Sequence, residues 1–255
     1  MTEFRTFARG LMNKRTNQKF VAAITILCLS WVSPLLVVGK AGAVKRQDTD
    51  IIKQDAPSKE ISNLIEKFKT ADELEREKII QDLTKFGNSA IPALIKALES
   101  DNTLVSQGAM SVLIRIDKTI TIPVLIEAMK HHNVRVRRYA ALILGHMKSE
   151  AKQAVPVLID VFKDDQEDKD VRSSAAFALG RIGSEAKQAV PVLIDALKTD
   201  KNADVRRSAA SALGDIGSEA KQAVSVLIYV LKTDEDVRWN AADALQNIAV
   251  DILTG

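Results

Sequence analysis

The chain has 255 residues, 46% of them hydrophobic, with 36 Lys/Arg against 33 Asp/Glu for a formal net charge of +3 and a single cysteine. That length supports a core without covalent staples, and one cysteine excludes a disulfide framework and leaves thiolate chemistry to Cys28 alone. The positive excess is confined to the start: residues 1–43 hold six of the Lys/Arg and one of the Asp/Glu, so the remainder is near −2 and lacks the basic footprint of a nucleic-acid binder.

Arg5, Arg9, Lys14, Arg15 and Lys19 precede an apolar run over 20–38, from Phe20 to Val38, and Ala41-Gly42-Ala43 comes next. This pattern predicts a signal peptide over 1–43 cleaved after Ala43, or the same segment retained as an N-terminal membrane anchor. Either outcome exports the chain beyond residue 43, because a basic N-terminal flank stays cytoplasmic. Leu27 before Cys28 is too large for a lipoprotein site. Residues 44–57 are polar, with Ile51 and Ile52 their apolar exceptions, and read as a linker.

From residue 58 the chain repeats. Ser-Glu-Ala-Lys-Gln-Ala-Val occurs at 149–155, 184–190 and 218–224, and Pro92, Pro123, Pro156, Pro191 and Ser225 share one slot at spacings of 31, 33, 35 and 34. Each slot is expected to open a helix. Behind it, Leu94/Leu98, Leu125/Met129, Leu158/Phe162, Leu193/Leu197 and Leu227/Leu231 form i, i+4 pairs of one buried stripe.

A polar turn then leads to expected caps at Asp170, Asp204 and Asp236 and a second helix with a helical apolar period, Val171, Ala175, Leu179, Ile182 and then Val205, Ala209, Leu213, Ile216. Alanine pairs beginning at Ala140, Ala175, Ala209 and Ala241 allow close helix approach, and Gly183 and Gly217 are expected to stop the helix in the left-handed conformation. Helices of about 12 residues do not persist alone in water, so the pairs must stack. Six pairs account for 58–255, with 58–87 and 220–255 as caps.

Ala-Val-Pro-x-Leu-Ile-x-Ala-Leu followed by Asp-Val-Arg-x-Ser-Ala-Ala-x-Ala-Leu-Gly-x-Ile-Gly resembles the short HEAT-like repeat of the phycobilisome lyase type over 89–253. The resemblance implies an all-α fold, a right-handed α-solenoid of the armadillo-like kind, with second helices on the concave surface. It is unspecific for activity.

Two sets of columns stand out. Arg76, Arg137, Arg172, Arg206 and Arg238 occupy one slot, with Ser106 the exception; evenly spaced charges one turn into helices suit carboxylate pairing between repeats, and the resemblance implies the same structural role. One turn further round lies an irregular set that includes Arg138, Leu142, His146, Phe177, Arg181, Arg207, Asp215, Trp239 and Asp243, with Tyr139 beside it. Irregularity there leaves the stack undisturbed, and arginine with aromatic anchors suits a protein or peptide partner. An equally open alternative is that Phe177 and Trp239 pack on the next repeat.

The acidic turn 163–170 lacks the glycine and spacing of an EF-hand and reads as solvated. There is no His-Glu step of the di-iron HEAT-like type, and His131, His132 and His146 read as solvated or capping; no metal, cofactor or catalytic residue is expected. The expectation is therefore an exported, non-enzymatic scaffold binding a protein or peptide, with no nucleic acid and with membrane contact only through 20–38 if that run is retained. The alternative implied by the resemblance is a bilin lyase-like or phycobiliprotein chaperone-like factor acting with a partner subunit. Self-association stays open.

Overall fold

The computed structural model describes residues 47–254, with side chains from Pro57 onward. The expected leader over 1–43, its apolar run and Cys28 lie outside the described residues. Among the described residues twelve α-helices form six pairs: α1 (Gln47–Lys67) with α2 (Glu73–Lys85), α3 (Ile91–Ala97) with α4 (Thr103–Arg115), and α5 (Lys118–Ala128) with α6 (Val134–His146). The chain continues as α7 (Val155–Lys163) with α8 (Lys169–Ile182), α9 (Val190–Thr199) with α10 (Ala203–Ile216), and α11 (Val224–Thr233) with α12 (Arg238–Thr254). The described residues form no strand and no helix long and apolar enough to cross a membrane.

The buried stripes are continuous from pair to pair. Leu94, Leu125, Leu158, Leu193 and Leu227 are fully buried, and so are Val171, Ala175 and Leu179 with their equivalents Val205, Ala209 and Leu213. One core therefore runs the length of the stack, and no pair is closed by itself.

Second helices pack directly on one another from α6 to α12, whereas first helices touch sparingly. Glycine makes this possible. A Cβ on Gly145, Gly180 or Gly214 would lie 3.0, 2.9 or 2.7 Å from the Cα of Ala178, Ala212 or Ala244 in the next repeat. Ile114 stands where these glycines stand, and there α4 and α6 pack less closely. Tight spacing along the second-helix row and wide spacing along the first bends the stack toward the second helices, which form its inner wall.

The recurring heptapeptide forms 3-10 connectors, Lys148–Ala154, Gly183–Ala189 and Gly217–Ala223. In a three-residue turn i and i+3 eclipse, so Ala151/Ala154, Ala186/Ala189 and Ala220/Ala223 are buried together. Gly183 and Gly217 adopt φ +75° and +76° with ψ near −140°, outside the left-handed helical well expected for them and in territory open to glycine. Gly87 and Lys148 occupy the same slot with φ +52° and +53°.

Three expectations need correction. The linker read over 44–57 is helical from Gln47, with Pro57 inside α1, because polar composition removes a reason for burial without removing the capacity for i→i−4 bonds. The caps lie two residues upstream of Asp170 and Asp204: Asp168 accepts from the Asp170 and Val171 amides, and Asn202 from those of Asp204 and Val205. Asp236 likewise precedes α12 without capping it; its amide donates to Asp234 at 3.1 Å. Finally, Pro123 falls inside α5, since Asp117 replaces the slot glycine and caps the connector into an α-helical first turn.

Candidate functional site

Three arginines of the column make the same double contact. Each ties down the turn of its own pair and reaches a carboxylate in the turn of the next. Arg137 Nη1 donates to the carbonyls of His131 and His132 at 2.7 and 3.1 Å, and its Nε and Nη2 grip Glu167 bidentately at 2.7 Å each. Arg172, 8% exposed, donates from Nε to the Phe162 carbonyl at 2.9 Å and from Nη2 to Asp200. Arg206 donates to the Asp200 carbonyl at 3.0 Å and to Asp234 at 2.7 Å. That bond to Asp234 holds its carboxyl below the ordinary range and the Arg206 guanidinium above its own.

The column's ends differ. Arg76 donates to the Ala71 carbonyl at 3.1 Å, and Arg238 lies 3.8 Å from Glu235 of its own turn. Ser106, in the slot without arginine, meets the Tyr139 hydroxyl at 2.8 Å across the repeat boundary. Tyr139 thereby joins α4 and α6 through its hydroxyl, while its ring lies beside the Arg138 guanidinium.

The remaining inner-face candidates fall along the second helices. Leu142 is half-buried and Phe177 is 37% exposed, its ring edge-on to His146 with centroids 6.0 Å apart. Phe177 also lies over Gly145, close enough that a Cβ there would come within 3.0 Å of the ring. Arg138 lies 5.6 Å from the ring of Tyr139. Arg207 is held by Asp204 at 2.6 Å and by the Asp236 carbonyl at 3.1 Å. Asp215 sits over Gly180; surrounding protein pushes its carboxyl above the ordinary value, with the charge of Arg181 pulling the other way. Trp239 is 80% exposed and Asp243 is exposed beside it.

The turn over 163–170 is not simply solvated. Glu167 is taken by Arg137, Asp168 caps α8 and Asp164 accepts from the Gln166 amide at 3.0 Å. The carboxylates Glu167, Asp200 and Asp234 were missed by sequence reasoning, although one acidic residue in each inter-helix turn was the available signal. The close-approach glycines Gly145, Gly180 and Gly214 were missed too, the last two hidden behind the more familiar helix-ending glycines Gly183 and Gly217 three residues later.

Repeat stacking also gathers Glu99, His131 and His132, whose donor atoms lie within 4.8 Å of one another. The Asn133 amide donates to His131 Nδ1 at 3.1 Å, so the neutral ring carries its proton on Nε2, which faces Glu99 Oε1 at 3.8 Å. Lys96 occupies Glu99 as well. A ligating histidine needs the opposite arrangement, with its outer nitrogen donating; the group is a polar contact between turns.

These features define an all-α solenoid of tandem helical hairpins, clamped by arginines at the turns and lined inside by its second helices. The family model for HEAT repeats matches residues 61–135, 91–169, 122–214 and 165–246, and the chain belongs to that family. Among solved structures, the CpcE–CpcF complex of phycocyanin lyase from Nostoc sp. PCC7120 is similar at 22% identity and TM-score 0.55, over 61% of this chain and 98% of that one. An engineered protein matches at 26% identity and TM-score 0.48 over 75% and 97%, and a designed armadillo repeat protein at 17% and 0.46 over 74% and 99%. No curated protein matches the chain.

Proposed function

We propose that the chain is an exported, non-enzymatic scaffold that holds a protein or peptide segment on its inner, second-helix face. The observation that carries this reading is the exposure of Trp239, 80%, and Phe177, 37%, on that face; α8 buries its other large apolar side chains, Val171, Leu179 and Ile182, and leaves Phe177 alone open to the groove. Aromatic anchors with arginines beside them are the side chains that contribute most at protein interfaces. Export rests on the basic flank and apolar run before residue 44.

Native purification of the full chain from an envelope fraction, repeated with Trp239→Ala and Phe177→Ala, tests both parts. A partner present with the parent chain and lost with either variant supports the reading. A chain found only in the cytoplasm removes export, and a partner retained by both variants removes the inner face.

A second reading has the fold likeness to phycocyanin lyase in its favour: a factor acting on phycobiliproteins together with a partner subunit. Bilin transfer in a reconstituted assay tests it, and retention of the chain in the cytoplasm would favour it over the scaffold.

A further inference from the structure

Ten arginines lie among residues with described side chains, and seven of them pair with a carboxylate: Arg115 with Glu77, Arg135 with Asp101, Arg137 with Glu167, Arg172 with Asp200, Arg206 with Asp234, Arg207 with Asp204 and Arg238 with Glu235. Arg76 donates from Nε to the Ala71 carbonyl. Arg138 and Arg181 have no hydrogen-bond or ion-pair partner among the described residues. Both sit on the inner face, on adjacent helices α6 and α8.

Between them the inner positions of α6 and α8 carry Leu142, His146, Ser173 and Phe177, with no acidic residue. Asp215, on α10, is the acid that faces Arg181, and it lies beyond ion-pair distance. Two guanidinium groups outside any ion pair among the described residues, Arg138 against the Tyr139 ring and Arg181 facing Asp215 at a distance, therefore stand in a chain whose charge after residue 43 is near −2. Guanidinium groups left free on a recognition face suit carboxylates, which they grip with directed, charge-assisted bonds.

The register sets a spacing. Gly145 abuts Ala178, Arg138 precedes Gly145 by seven residues, and Arg181 lies three residues after Ala178. That offset is about 15 Å along the helix axes, and one helix spacing of about 9 Å across makes the separation about 18 Å. Leu142, three residues before Gly145, and Phe177, one before Ala178, fall at the middle of the diagonal. An extended chain rising about 3.3 Å per residue crosses it in five or six residues.

We infer that the occupant of this face is an acidic segment in extended conformation, laid diagonally across α6 and α8 with carboxylates six residues apart on Arg138 and Arg181 and, on the same side of the segment, an apolar side chain between them on Leu142 and Phe177. The inference rests on the reading of the inner face as the partner-binding surface, and it names the chemistry of the partner.

The test is fluorescence anisotropy of the full chain in detergent with a labelled peptide Gly-Glu-Ser-Phe-Ser-Ser-Ser-Glu-Gly, in which both glutamates and the phenylalanine fall on one side of an extended chain. Saturable binding is expected, weakened about tenfold or more when both glutamates become lysine, when the phenylalanine becomes serine, or when the chain carries Arg138→Glu with Arg181→Glu. Lys198→Glu, on the exposed side of α9, serves as a charge control and should leave binding unchanged. Equal binding of the glutamate and lysine peptides, no binding of either, or indifference to the double reversal overturns the acidic segment. If a partner is nevertheless lost with Phe177→Ala in the native purification, the inner-face reading stands without it; if both experiments fail, both fall.

Discussion

Gly180 lies against Ala212 so closely that a Cβ on the glycine would come within 2.9 Å of the alanine's Cα, a separation that real side chains do not tolerate. The obstacle is backbone, so it cannot rotate away. Gly180→Val is expected to force α8 and α10 apart at an overpacking cost of about 1–3 kcal/mol, and Gly180→Ala less, since alanine recovers about 1 kcal/mol of helix propensity. Thermal unfolding of the two variants checks the order: parent highest, alanine next, valine lowest by several degrees.

Arg172 and Asp200 are both nearly excluded from water, and each is the other's charge partner across a repeat boundary. Arg172→Ala strands the Asp200 carboxylate and the Phe162 carbonyl, for an expected loss of about 3–5 kcal/mol, the usual range for removing one member of a buried pair. A double-mutant cycle with Asp200→Asn should show strong coupling. Unchanged unfolding accompanied by loss of a partner would instead assign the arginine column to recognition.

Lys148 adopts φ +53° in the slot that glycine fills at residues 87, 183 and 217. Lys148→Gly should relieve that strain and raise stability by up to about 1 kcal/mol, while Gly183→Ala, at φ +75°, should lower it by about 1–2 kcal/mol. Opposite shifts in melting temperature are the expected readout.

Acid should loosen the stack. Hydrogen bonding from Arg206 lowers the Asp234 carboxyl in the folded chain, so its contribution is complete above the unfolded-state value and is lost as pH falls through the folded one. Melting temperature is therefore expected to fall below about pH 4, and Asp234→Asn should be less stable at pH 7 with a shallower acid decline. Asp215 has the opposite sign: burial raises its carboxyl, so ionisation costs the fold and Asp215→Asn should melt higher at neutral pH.

The helical period, the proline slot and the alanine pairs made the hairpin stack legible in the sequence, because each reflects a local rule of burial or backbone conformation. The features that escaped depended on the exact end of each turn or on register between repeats. The connector helices arise from alanines that bury in pairs, the true caps Asp168 and Asn202 lie where the turn ends and not where the acidic run stops, and Glu167 meets Arg137 thirty residues away in sequence. Arg138, Phe177 and Arg181 were visible as irregular positions in a regular frame, yet the partnering that leaves Arg138 and Arg181 free became apparent only once every other arginine had its acceptor. The bond between the Tyr139 and Ser106 hydroxyls was not legible, because Ser106 in the preceding repeat carries no signal of that role in sequence.

The most direct measurement is site-specific photocrosslinking of the full chain in the cell envelope, with the reactive group at Phe177 or His146 on the inner face and at Lys198 or Gln188 away from it. The account predicts one shared protein adduct from residues 146 and 177 and none from 188 and 198. An adduct confined to 188 or 198, with the inner positions silent, would contradict it.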